Sequence, residues 1–218
     1  MHKIYIIAED TYGCDFLLRV VDRMRKERVL REELVISRCR HLSVLRNRKV
    51  GRVAKAALLD EEDDKVLIVV DADGRRREDV EKDVMPFVSD GVRSGGVDER
   101  KVKDVMDRVK LVIFSQEAEE WVVASMGRGF TDGKPSEFLR RTEARGYEKS
   151  DLPRYAESLD LWALRKKVPS FSDFIGALDD PRGECACSQD PSSPPQIYGA
   201  MWFDAPKRRR PHDPLTLP

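Results

Sequence analysis

The sequence predicts an α/β fold, a mainly parallel sheet flanked by helices. Three observations carry this. Apolar runs at residues 3–8, 66–70 and 111–114 read as buried strands. Stretches with apolar residues at helical spacing alternate with them. Each run ends in acid: Glu9-Asp10, Asp71-Ala72-Asp73-Gly74, and Ser115-Gln116-Glu117-Ala118-Glu119. Ligands of open parallel sheets bind at the carboxyl ends of the strands, so these acids should converge on one edge.

The elements follow in order. After the first strand, Phe16, Leu17, Val20, Val21 and Met24 share one helix face. Leu34-Val35-Ile36 is a short second strand. Val50, Val53, Ala54, Ala57 and Leu58 repeat at i, i+3, i+4, i+7 and i+8, an amphipathic helix. The third strand ends at Asp71, and a helix over about residues 78–88 follows, with Pro86 near its end. Ser94-Gly95-Gly96 is a loop. Val102, Val105, Met106 and Val109 mark the next helix, and the fourth strand leads into a helix carrying Trp121, Val122 and Ala124. The α/β domain is expected over 1–127. Residues 128–180 show no strand and read as a helical appendage. A Pro-rich, basic, irregular tail covers 181–218 and ends in Lys207-Arg-Arg-Arg210.

Composition narrows the class. No apolar run approaches the roughly 20 residues of a membrane span. The N-terminus lacks the long apolar region of a signal peptide, so a cytoplasmic protein is expected. The 218 residues hold 40 Lys and Arg against 40 Asp and Glu, a balance that fits an ion-pair-rich, thermophile-like surface. Cys14 and Cys39 read as small buried thiols. Cys185-Ala-Cys187, with only His212 nearby, is short of ligands for zinc. No catalytic triad and no Gly-rich nucleotide loop is present.

Oxygen-rich, sulfur-free acid clusters suit Mg²⁺ or Mn²⁺. Alternation should point Asp71 and Asp73 the same way, although Asp-Gly turns also end strands for purely structural reasons. Glu9 stands before the first helix, where an acid can equally serve as a cap, with Asp10 or Thr11 the other cap candidates. Glu117, Glu119 and Glu120 open a helix, where acids are favoured electrostatically in any case. Trp121 reads as a core anchor. Between residues 38 and 55 stand seven cations, Arg38, Arg40, Arg46, Arg48, Lys49, Arg52 and Lys55, and no acid. Such a run could follow a phosphate backbone or form a solvated helix face. Arg75, beside the acid pair, could clamp phosphate or neutralise its neighbours. His41 is a candidate proton carrier. The acid run 60–64 reads as a solvated loop.

Taken together, Glu9, then Asp71 with Asp73, then Glu117-Ala118-Glu119-Glu120-Trp121 resemble the TOPRIM fold. Most closely they resemble the TOPRIM-like family DUF4276, related to OLD-family nucleases. Tyr147-Glu148-Lys149 and Pro169-Ser170-Phe171-Ser172-Asp173-Phe174 echo that family's helical end, so the resemblance spans about residues 3–178. The family's Gly after the first Glu is Asp10 here, and its Asp after the Trp helix is Ser125. The resemblance implies Mg²⁺- or Mn²⁺-dependent phosphodiester chemistry. Glu9, Asp71 and Asp73 would be the catalytic acids and metal ligands, with Glu117 or Glu119 completing a second metal position. DNA would be the substrate, contacted by Arg38, Arg40, Arg46, Arg48, Lys49, Arg52 and Arg75. It further implies an ATPase partner in defence. A non-catalytic module binding nucleic acid or a partner protein is the alternative, and a phosphatase or nucleotidyl transferase using the same acids is a third.

Overall fold

The computed structural model describes residues 2–30, 33–127 and 133–179. Four parallel strands form one sheet in the order β2-β1-β3-β4: β1 His2–Ala8, β2 Leu34–His41, β3 Lys65–Asp71 and β4 Val109–Phe114. Alternation sorts their side chains onto two faces. Ile4, Ile6, Ala8, Leu67, Val69, Val112 and Phe114 look one way; Tyr5, Ile7, Val66, Ile68, Val70, Val109 and Ile113 look the other. Both sets are buried, as in parallel sheets covered on both sides.

Helices α2 Arg48–Leu59, α3 Arg77–Arg93 and α4 Glu99–Arg108 cover the Tyr5 face. The Ile4 face is covered by α1 Thr11–Lys26 and α5 Glu120–Ser125, then by α6 Pro135–Thr142, α7 Leu152–Tyr155, α8 Leu161–Lys167 and α9 Pro169–Asp179. The helices beyond residue 133 thus share a core with the sheet and belong to one compact unit with it. Trp121 is the hub of that layer. Its ring meets Phe16, Phe114, Phe171 and Phe174 with centroids 4.8–5.9 Å away. The expected core anchor is borne out.

The chain leaves β1 for β2 through α1 on one face, then crosses back to β3 through α2 on the other. The loops after β1 and β3 therefore diverge. That is the switch point at which open α/β sheets bind ligands, and Glu9 and Asp71 stand on its two sides.

Several elements exceed their sequence signal. β2 runs on to His41 because an edge strand tolerates the polar residues that hid it. Its pairing slips between Ile4 and Tyr5, which leaves Ser37 as a bulge whose hydroxyl donates to the Ile4 carbonyl at 3.2 Å. The slip resets the alternation, so Cys39 joins Leu34 and Ile36 on the α1 side. There it is disulfide-bonded to Cys14, with Cα atoms 5.6 Å apart, which corrects the expectation of two separate thiols. α3 continues past Pro86 because Val88 and Val92 still bury against the sheet. Asp63 is buried beneath the acid loop expected to be solvated, with neither carboxylate oxygen hydrogen-bonded among the described residues. The tail, with Cys185, Cys187 and the basic cluster, lies outside the described residues. No helix among the described residues is long and apolar enough to cross a membrane.

α2 and α3 meet at two glycines. A Cβ on Gly51 would fall on the Val88 carbonyl oxygen and lie 2.8 Å from the Gly91 Cα. Backbone cannot yield as a side-chain tip can. Gly51→Ala is expected to cost roughly 2 kcal/mol or more by overpacking, against a helix-propensity gain of about 1 kcal/mol. Urea midpoints of the two proteins measure this, and equal midpoints would show that the helices can separate freely.

Candidate functional site

The first helix begins where β1 stops because Asp10 caps it, its Oδ1 accepting from the Gly13 N–H at 2.6 Å. That leaves Glu9 at the strand end, half-buried. Across the switch point β3 ends in Asp71, only 17% exposed at its side chain. Ala72 turns into the core, and Asp73 adopts φ 51, a left-handed conformation that Asp tolerates. Gly74, at φ 76, completes the turn. The turn is tied down by β4, because Ala72, Asp73 and Gly74 donate to the carbonyls of Phe114, Gln116 and Ser115 at 3.0 Å each.

Glu9, Asp71 and Asp73 line a single cavity of about 260 Å³. Arg46 and Arg75 line the same cavity and share Asp83 at 3.2 and 2.7 Å. Acids and guanidinium groups thus line one space, whose volume is large enough for a phosphate group.

Burial pushes the Asp71 carboxyl up to about 8; Lys149 opposes the shift, and Glu9, Glu119 and Asp10 add to it. Glu9 is raised as well, first by burial and then by the charge of Asp73. The cation that stabilises this group of acids is Lys149. Its Nζ is 2.9 Å from Asp10 Oδ2 and 3.9 Å from Asp71 Oδ2. Burial alone would lower the Lys149 pKa, but the hydrogen bond and charge of Asp10, then Glu119 and Asp71, hold it above the usual lysine value. Lys134 pairs with the exposed Asp73 at 2.8 Å.

Glu117 and Glu119 do not enter this cavity. They line a neighbouring one of about 300 Å³ with Lys134, Ser136, Tyr147 and Lys149. Instead of opening a solvated helix turn, Glu117, Glu119 and Glu120 are all buried. Glu117 Oε1 accepts from the Ser136 N–H at 2.5 Å. Glu119 Oε1 accepts from the Tyr147 hydroxyl at 2.7 Å, while its Oε2 has no partner among the described residues. Glu120 accepts from the Gln116 N–H at 3.0 Å and from the Ser170 hydroxyl, which itself accepts from the Trp121 indole at 2.9 Å. Glu120 is therefore a structural clamp between α5 and α9. Ser125 likewise serves packing, its hydroxyl accepting from the Asp160 N–H.

The carboxylates of Glu9, Asp71 and Asp73 are hard oxygen donors of the kind that a dication takes. In the present arrangement no three acid, His or Cys side chains among the described residues are placed to hold one ion. Lys149 supplies positive charge beside Asp10 and Asp71.

The seven cations divide. Arg38 pairs with Glu61, Arg46 with Asp83 and Arg48 with Asp90. Lys55 Nζ donates to the Ser94 carbonyl at 2.6 Å. Arg40, Lys49 and Arg52 are exposed, with no carboxylate in pairing distance among the described residues. His41 Nδ1 lies 3.3 Å from the Thr11 hydroxyl at the rim, outside the acid cavity.

Comparison with protein-family models, with curated proteins and with solved structures finds no match.

The Asp71 shift has a testable sign. Folded, Asp71 keeps its proton to about pH 8; unfolded, it loses it near pH 4. Between those values the folded state binds the extra proton, so its contribution to stability is lost as pH rises. Asp71→Asn removes that loss and is expected to stabilise the metal-free protein by roughly 2 kcal/mol or more at pH 8, with little gain at pH 4. Denaturant midpoints at the two pH values decide it, and a gain independent of pH would refute the assignment.

Proposed function

We propose that this chain is a TOPRIM-type, divalent-metal-dependent nuclease acting on DNA, of the kind its motifs resemble in DUF4276 and OLD-family proteins. The observation that carries the reading is the switch-point cavity, which Glu9, Asp71 and Asp73 line together with Arg46 and Arg75. Bound Mg²⁺ or Mn²⁺ would supply Lewis-acid stabilisation of a phosphoryl oxygen and an activated water. Asp71 and Asp73 would hold the ion. Glu9, whose carboxyl is raised above the usual carboxylate range by burial, is a candidate proton carrier. Arg46 and Arg75 present planar donors that match phosphate oxygens. Arg38, Arg40, Arg48, Lys49 and Arg52 extend the positive surface along β2 and the start of α2, where a DNA backbone could run.

The reading includes a cytoplasmic location and an ATPase partner in defence, both carried by the resemblance. A disulfide inside a cytoplasmic protein is a habit of hyperthermophiles, in line with the dense balanced charge. The second reading, a non-catalytic module binding nucleic acid or a partner protein, draws on Asp10 and Lys149, whose ion pair stabilises the acids with no metal bound.

Nicking of supercoiled plasmid in Mg²⁺ and Mn²⁺ tests the enzyme. Wild type is expected to cut, and Asp71→Asn and Glu9→Gln to lose at least about 100-fold in rate while still binding DNA. Binding without cleavage by wild type, in either metal and with a partner ATPase added, supports the second reading.

DNA affinity carries its own prediction. Cations already paired to protein carboxylates release few counterions, so Arg40, Lys49 and Arg52 should set the salt dependence. The slope of log K against log salt is expected near −3, and near zero after all three are changed to Glu. A slope near −6, as for all seven cations, would mean that the internal ion pairs open on binding.

A further inference from the structure

We propose that Lys149 is a tethered cation with two positions, one between Asp10 and Asp71 and one at Glu119, and that a divalent ion enters only as Lys149 moves from the first to the second. The inference rests on the reading that Glu9, Asp71 and Asp73 hold metal, and it describes how that same site is regulated.

Three observations meet here. The first is occupancy: the ammonium is 2.9 Å from Asp10 Oδ2 and 3.9 Å from Asp71 Oδ2, so Asp71 already has a cation beside it. A second cation at Asp71 would meet strong repulsion. The second is the anchor. Lys149 opens the 3-10 turn Lys149–Asp151, fixed by reciprocal bonds between Glu148 and Asp151 and leading into α7. Its backbone is held while four methylenes leave the ammonium free to swing. The third is the destination. Glu119 is fully buried, its Oε2 has no partner among the described residues, and it lines the neighbouring cavity together with Lys149. An ammonium displaced from Asp71 finds there a carboxylate oxygen waiting for a donor. Lys134 does not play this part, because it is exposed and pairs with the exposed Asp73, where solvent screens the interaction.

The test counts free Mn²⁺ by its electron-spin-resonance signal and follows melting temperature in parallel. Removing the competitor in Lys149→Met is expected to tighten Mn²⁺ binding at least tenfold and to enlarge the Mn²⁺-induced rise in melting temperature. Lys149→Gln is measured beside it, so that a failure of the Met variant to fold leaves a second route to the same answer. Lys149→Arg, which keeps the charge, should bind within threefold of wild type. Glu119→Gln should weaken binding about threefold to tenfold in the wild-type background and have no effect in the Lys149→Met background. Unchanged or weaker Mn²⁺ binding in both Lys149→Met and Lys149→Gln overturns the proposal while leaving the metal site standing. Glu119→Gln weakening binding equally in both backgrounds makes Glu119 a direct ligand and overturns the second position. No Mn²⁺ binding by any form overturns the inference together with the metal reading beneath it.

Discussion

The burial of Trp121 is the constraint from which much of this molecule follows. A parallel sheet must be covered on both faces, and α1 alone does not cover the Ile4 side. The indole fills the remaining space among Phe16, Phe114, Phe171 and Phe174. Burying it obliges its N–H to find an acceptor. Ser170 accepts, and its own hydroxyl passes on to Glu120, which also takes the Gln116 N–H. One ring therefore binds α9 to the start of α5 and to the end of β4, the strand that holds the Asp73 turn. The late helices are part of the scaffold that presents the acids.

The strands were legible because each is a run of apolar residues buried on both faces, the strongest local signal a chain can carry. α1, α2 and α4 were legible from their periodicity. β2 was not, beyond Ile36, because an edge strand needs little hydrophobicity and a bulge breaks the alternation that would betray it. The acids at the strand ends were visible as letters, and the cavity brings Glu9, Asp71 and Asp73 together. What sequence could not supply was the place of Lys149 beside the acids, although Tyr147-Glu148-Lys149 stood out as part of the resemblance. The lysine lies far along the chain, in a polar stretch without periodicity, and only the packing of the late helices carries it over Asp71. The buried state of Glu117, Glu119 and Glu120 was hidden for a related reason: acids opening a helix look the same whether water or protein covers them. Asp10, read as a cap candidate or a departure from a motif, is both the helix cap and the partner of Lys149.

Electrostatics at the site are organised by scarcity of water. Burial raises Glu9, Asp71 and Glu119 together, and each carboxylate makes its neighbours harder to ionise. A group of acids in that condition either holds protons or acquires a cation. Here an amine carried by the chain itself answers part of the demand, and the fold can form without waiting for an ion from solution. Arg46 and Arg75, which line the same cavity, pair with Asp83.

The Ser37 bulge makes the edge strand respond unequally to changes of length. Loss of Ser37 would set Arg38 directly after Ile36, leave Tyr5 opposite Arg38 and Ile6 opposite Cys39, and so keep Cys39 in register with Cys14. One further residue at that place would instead shift β2 by one position and turn Arg38 or Arg40 inward. The strand should thus tolerate shortening at the bulge and resist lengthening. The same irregularity guards the molecule against its own kind. A bulged edge studded with arginines is a poor template for a neighbouring strand, so the open side of the sheet resists the strand-to-strand stacking by which exposed edges aggregate.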